Sequence, residues 1–169
     1  TAVGSEDIGM ALFTGQEEIE DVLLTAYALE DGLRDFYLSM QEQVTQGDAK
    51  ALFNKLSAIE VKHQGRIYAE YRKVSASPLS RDEFAGNAEA QAMEGGLTTE
   101  EYLSLYPTDM NVVSDVVSLA MGIEAQALDL YLRAAENCSQ EATKQTLLRI
   151  AEEERTHLQL LGNLLDEIA

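Results

Sequence analysis

Four apolar stripes run through this chain in steps of mostly three and four residues, and the second pair repeats the first at a shift of 94 positions. The first stripe is Ile19, Leu23, Ala26, position 30, Leu33, Tyr37, Met40 and Val44. The second is Phe53, Leu56, positions 60 and 63, Ile67 and Val74. The third runs Val113, Val117, Ala120, position 124, Ala127, Tyr131 and Ala134, and the fourth Leu147, Ile150, positions 154 and 157, Leu161, Leu164 and Ile168. Such a period marks the inward seam of a helix packed in a bundle. Under the shift Leu23 falls on Val117, Tyr37 on Tyr131, Phe53 on Leu147 and Ile67 on Leu161, while Glu70 on Leu164 is the one poor match. The sequence therefore reads as a duplicated helical hairpin. Both prolines, Pro78 and Pro107, lie between the two halves, leaving each half free of the residue that breaks helices.

The links set the topology. Gly47 interrupts the first pair of stripes, with Asp48 expected to cap the second helix, and Asn137-Cys138-Ser139 links the second pair, with Ser139 as the expected cap. Short links make each hairpin antiparallel. Thr14-Gly-Gln-Glu17 has the form of a capping box ahead of the first helix. Residues 75–109 are rich in Ser, Gly, Asn and acids; Ser80 to Glu83 and Thr98 to Glu101 have the same form and predict two short helical turns there. The expected fold is all-α: a four-helix bundle over residues 15–169, two antiparallel hairpins joined by a long crossover, preceded by an arm or linker over residues 1–14. A chain of 169 residues suffices for one such domain.

Composition narrows the function. A net charge of −18 opposes binding to nucleic acid or to an anionic membrane surface. No apolar run approaches the roughly 20 residues that span a bilayer, and nothing near Thr1 reads as a signal peptide. The single cysteine, Cys138, excludes an internal disulfide and a cysteine-built metal cluster, so a reducing cytoplasm is the expected compartment and the thiol is expected to be incidental. The chain opens with Thr rather than Met, as a processed form or a piece of a longer protein would.

The positions skipped in the stripes are polar, and they obey the same shift: Glu30 on Glu124, Glu60 on Glu154, His63 on His157. Each should face the core. An unpartnered buried carboxylate costs several kcal/mol, and four at one level would repel one another. No inward Lys or Arg on the stripes matches them. Both histidines of the chain follow a glutamate by three positions, a coincidence expected in about one or two of a hundred such chains. Residues three apart on a helix lie on one side, about a turn apart, so a carboxylate and an imidazole reach one ion together. Glu30 precedes Gly47 by nearly the distance at which His63 follows it, which sets them level in an antiparallel hairpin. Four carboxylates and two neutral imidazoles are neutralised by two divalent cations, whereas one would leave a buried charge. The expected centre is thus two metal ions roughly 3.5–4 Å apart, held by Glu30, Glu60, His63, Glu124, Glu154 and His157. Carboxylate and imidazole suit iron or manganese and do not exclude zinc.

Over about residues 15 to 169 this pattern resembles the ferritin-like superfamily of di-iron carboxylate proteins, specifically its rubrerythrin-like branch. The resemblance implies that Glu60 and Glu154 bridge the metals, that Glu30 and Glu124 are terminal ligands, and that a tyrosine stands seven residues beyond each terminal glutamate, as Tyr37 and Tyr131 do. Glu60, Glu154, Tyr37 and Tyr131 are the candidate groups at the reacting centre, the tyrosines by core filling and by hydrogen bonds to ligand carboxylates alike. Tyr27, Tyr68 and Tyr71 are expected to pack. Two departures stand out: Ala127 occupies the place of a further glutamate that rubrerythrins use in a redox-linked shift of one iron, and no cysteine-built rubredoxin-like site is present. The expected function is an oxidoreductase reducing peroxide or dioxygen at two iron ions, with Mn/Fe or zinc as alternative metals. Iron oxidation and storage in an oligomeric shell, or a structural zinc bundle, are the competing readings. Oxidising both ions would add two charges to a neutral site, which an oxygen-derived ligand can offset. The expected partners are an external electron donor, a second copy in a homodimer or larger homo-oligomer, and, by analogy with some relatives, a fused N-terminal rhodanese-like domain.

Overall fold

The computed structural model describes residues 18–95, 104, 108–109 and 112–168, and within them the chain is helical with short links. The elements are α1 (Ile19–Gln43), α2 (Gly47–Val74), α3 (Arg81–Gly95), α4 (Val113–Asn137) and α5 (Glu141–Ile168). The bundle is all-α and ferritin-like, as the stripes require. α1 packs on α2 and α4 on α5 within the hairpins; between them α2 lies against α5 and α1 against α4.

Cross-helix contacts give the directions. Tyr37 meets Glu124 and Tyr131 meets Glu30, so α1 and α4 run antiparallel. His63 and Arg66 both reach Glu153, while His157 lies beside Glu60, so α2 and α5 are antiparallel as well. With these directions α2 ends at one end of the bundle and α4 starts at the other. The crossover must climb the whole bundle, and α3, about 22 Å long at 1.5 Å per residue, is part of it.

The stripes form the core. Leu23, Ala26, Tyr37, Met40, Phe53, Leu56, Ile67, Val117, Ala120, Tyr131, Leu147, Ile150 and Leu161 are fully shielded from solvent. Burying side chains of that size contributes roughly 1.5–3 kcal/mol for each Leu, Ile or Phe. The ends Ile19, Val74, Val113 and Ile168 are only half-buried, as expected where a seam reaches the rim.

The Ser80–Glu83 capping box forms. Each backbone amide meets the other residue's side chain, at 3.0 Å (Ser80 N to Glu83 Oε2) and 3.3 Å (Glu83 N to Ser80 Oγ). The helix it starts, α3, has 15 residues instead of one short turn. Its inward Phe84 explains the length. The ring lies 4.2 Å from that of Tyr71, 5.2 Å from Tyr27 and 5.6 Å from Tyr68, an aromatic cluster that holds α3 onto the first hairpin. Two members of the cluster also fix the link before α3. The backbone N–H of Leu79 donates to Tyr71 (3.1 Å) and its carbonyl accepts from Tyr68 (3.0 Å).

Two caps differ from expectation. The first hairpin turns at Val44, Thr45 and Gln46, the first and last of them extended, and Gly47 opens α2, so Asp48 sits in the first turn instead of capping it. There its charge still faces the positive helix end. At the second link the carbonyl of Gln140, not Ser139, starts α5 by accepting from Lys144 N at 2.9 Å. The capping boxes at Thr14–Glu17 and Thr98–Glu101 and the arm over 1–14 lie outside the described residues. Among the described residues no helix is long and apolar enough to cross a membrane.

Candidate metal centre

All six side chains singled out in the sequence meet at mid-bundle, and all are buried: Glu30, Glu60, His63, Glu124 and Glu154 at 0% exposure and His157 at 2%. They fall into two groups of four. Glu30, Glu60, His63 and Glu154 form one, and Glu60, Glu124, Glu154 and His157 the other, each with ligand-type atoms within 4.8 Å of one another. Glu60 and Glu154 belong to both.

Their orientation explains the sharing. The Nδ1 of His63 lies 2.9 Å from Glu60 Oε2 and 3.2 Å from Glu154 Oε1. The Nδ1 of His157 faces the opposite oxygens, 3.4 Å from Glu60 Oε1 and 2.9 Å from Glu154 Oε2. Each of these carboxylates thus turns one oxygen to each imidazole, and neither oxygen of either residue has a hydrogen-bond partner. Glu30 and Glu124 differ. One oxygen of Glu30 accepts from the Tyr131 hydroxyl, and one of Glu124 accepts from Tyr37. That leaves each with one oxygen for an ion, as terminal ligands need, while Glu60 and Glu154 have both oxygens available for bridging. The imidazole rings lie 5.7 Å apart and nearly parallel.

Protons alone satisfy this cluster poorly. Besides the two bridging-type oxygens, His63 Nδ1 also lies 2.9 Å from Glu30 Oε2. One N–H donates well to one of three converging acceptors, whereas a cation serves all of them. Orphaned buried atoms include both oxygens of Glu60 and Glu154, Glu124 Oε2 and His157 Nδ1. Buried polar atoms normally find partners, so so many orphans at one point mark a place for positive charge. The donor set, four carboxylates and two imidazoles, fits two divalent ions in charge and in ligand type.

The electrostatics agree. Burial, with the nearby Glu154 charge, pushes the carboxyl of Glu30 well above the usual carboxylate range. Burial does the same to Glu124. Burial opposes protonation of His63, yet the nearby carboxylates of Glu154 and Glu30 raise its pKa far above the ordinary value. His157, likewise opposed by burial but held by Glu124 and Glu154, is pushed up to about 10. Glu154 moves the other way: despite burial, the two imidazoles hold it below the usual range. Four of the six groups thus bind a proton more tightly than usual, as donors crowded at one buried point do.

One neighbour of the centre was not read from the sequence. Glu153 Oε2 lies 2.9 Å from His63 Nε2, the ring nitrogen that faces away from the cluster. Its other oxygen accepts from Arg66. In the sequence Glu153 sits in a run of three glutamates and looks like part of a solvated face. The available signal was its failure to repeat, since the shift of 94 sets Ile59 in its place.

A four-helix bundle whose core holds two carboxylate-histidine groups with shared glutamates defines the class of ferritin-like di-metal carboxylate proteins. The family model described as Rubrerythrin matches residues 21–165, nearly the whole chain, and the chain belongs to that family. A solved structure of a hypothetical protein from Pyrococcus furiosus is similar at a TM-score of 0.62 and 20% identity, covering 89% of this chain and 90% of that one, a likeness of fold. No curated protein matches.

Proposed function

We propose that this chain is a di-iron oxidoreductase that reduces peroxide or dioxygen with electrons from an external donor. The observation that carries the reading is the pair of shared carboxylates, Glu60 and Glu154, each with two unpartnered oxygens aimed at two imidazoles in a site closed to bulk water. Membership of the rubrerythrin family supports iron as the metal. Glu30 and His63 would hold one ion, Glu124 and His157 the other, and Glu60 and Glu154 both. Two irons bound there would supply the electrons that an oxygen–oxygen bond needs for its cleavage.

The remaining work falls to the chain itself. Tyr37 and Tyr131 are fully buried and donate to Glu124 and Glu30, which fixes the rotamers of both terminal carboxylates and keeps a proton beside each. Burial and the Glu124 charge push the Tyr37 phenol well up, so its hydroxyl stays protonated and able to donate. Phe53, stacked 5.9 Å from Tyr37, and the leucines and isoleucines of the stripes keep water from the centre.

The test is peroxide and dioxygen consumption by iron-loaded protein supplied with a chemical reductant, alongside iron content. Multiple turnovers at about two irons per chain support the proposal. A large shell holding far more iron would put storage in its place, and a zinc-bound, redox-silent protein would leave a structural bundle.

A further inference from the structure

The duplication predicts two equivalent halves of the centre, yet their surroundings differ, and two separate observations fall on the same half. At the Glu30–His63 end, His63 Nε2 meets Glu153 at 2.9 Å, and Arg66 binds the far oxygen of that carboxylate. At the Glu124–His157 end the corresponding residue is the half-buried Ile59, and among the described residues no carboxylate lies against His157 Nε2. The second observation concerns the residues next to the ligands. Asp31 follows Glu30, Gln64 follows His63, and Gln64 Nε2 donates to Asp31 Oδ1 at 2.7 Å, with Arg34 Nη1 2.8 Å from the same oxygen. This bond ties α1 to α2 one residue beyond each ligand. The counterparts in the second hairpin are Ala125 and Leu158, which make no such tie.

A carboxylate on the outer nitrogen of a ligand imidazole fixes its tautomer and ring orientation and makes the inner nitrogen a stronger donor to a metal. A bond between the two ligand-bearing helices lowers the freedom lost when both ligands close on one ion. Both effects act at the Glu30–His63 end alone. We infer that the two metal positions are unequal: the position of Glu30 and His63 fills first and holds its ion, while that of Glu124 and His157 is the exchangeable one, with Glu153 the positioning residue that makes the difference. Glu153 also borders a surface hollow of about 480 Å³ lined by Arg66, Arg149, Glu152 and Thr156, so it is reachable from solvent and its replacement leaves the core packing untouched.

The inference rests on the metal-centre reading above, and the experiment separates the two. Metal-free protein is titrated with cobalt(II), followed by calorimetry and by the visible absorption of the bound ion. The wild type should take up two ions in distinct steps. Glu153→Ala should weaken the first step about tenfold to a hundredfold, the usual effect of losing such a partner, and change the absorption of the first ion, with little change in the second. Ile59→Glu, which offers His157 the partner it lacks, should strengthen the second step. Two ions bound with a single affinity, or Glu153→Ala weakening both steps alike, would overturn the inference while leaving the metal centre in place. Failure of the wild type to bind any ion would overturn the metal centre itself.

Discussion

The hydroxyl of Tyr131 on α4 donates to the carboxylate of Glu30 on α1, across the interface between the two hairpins. The duplication returns the same bond with the roles exchanged, Tyr37 of the first hairpin donating to Glu124 of the second. Each half of the molecule therefore orients a buried glutamate of the other.

That reciprocity makes the two tyrosines comparable. Tyr37→Phe and Tyr131→Phe each leave a buried carboxylate oxygen without its donor, at a cost of about 1–3 kcal/mol. Chemical denaturation of the metal-loaded variants should show losses of similar size. A loss at only one of the two sites would mean that the second bond adds nothing to stability.

The cluster of buried carboxylates stabilises the protein only when something positive fills it. Replacing Glu60 by Met, which is apolar and of similar volume, should therefore act in opposite directions. It should raise the stability of metal-free protein, because it removes one of four mutually repelling buried carboxylates, and should remove the stabilisation that metal gives. Thermal melts with and without added metal measure both effects. A metal-free variant less stable than metal-free wild type would contradict the account.

Protonation gives a third test. In metal-free protein His157 has its pKa raised from 6.5 to about 10, so the stability it contributes is complete below about pH 6.5 and is lost as pH rises toward 10. Glu30 and Glu124, also raised, act in the same direction from lower pH. Glu154, which is lowered, has its full contribution above about pH 4.5 and does not vary in this window. Metal-free protein should thus lose stability between about pH 6.5 and 10. Because ions displace these protons, the stabilisation by added metal should grow over the same range. Denaturation midpoints measured at several pH values, with and without metal, decide it.

Most of this architecture is legible in the sequence, for a physical reason. A bundle core imposes one period on each helix, and a polar residue breaking that period at matching places in two halves has few explanations other than a shared ligand. Boundaries are less legible. Gly47 looked like the end of a pattern because glycine weakens helices, but at a first position that weakness costs little, and residues Val44 to Gln46 make the turn. The length of α3 was hidden because Phe84 is its anchor and one aromatic residue in a polar segment has no period. Glu153 was hidden for the opposite reason, since its neighbours Glu152 and Glu154 gave it company.

Phe84 supplies a control on the claim that α3 fastens the crossover and not the centre. Phe84→Ala should cost about 3–5 kcal/mol, the range for a large buried aromatic, and leave the metal stoichiometry unchanged. Calorimetric unfolding and metal analysis of the same sample check both. Loss of metal in this variant would show that the crossover supports the centre.

The most direct test of the whole account is the metal content of protein from cells grown with iron, for the wild type beside Glu60→Ala and Glu154→Ala. About two ions per wild-type chain are expected, with loss from both positions in either variant, because each of these carboxylates faces both imidazoles. Wild-type protein without metal, or variants that keep their full complement, would contradict it.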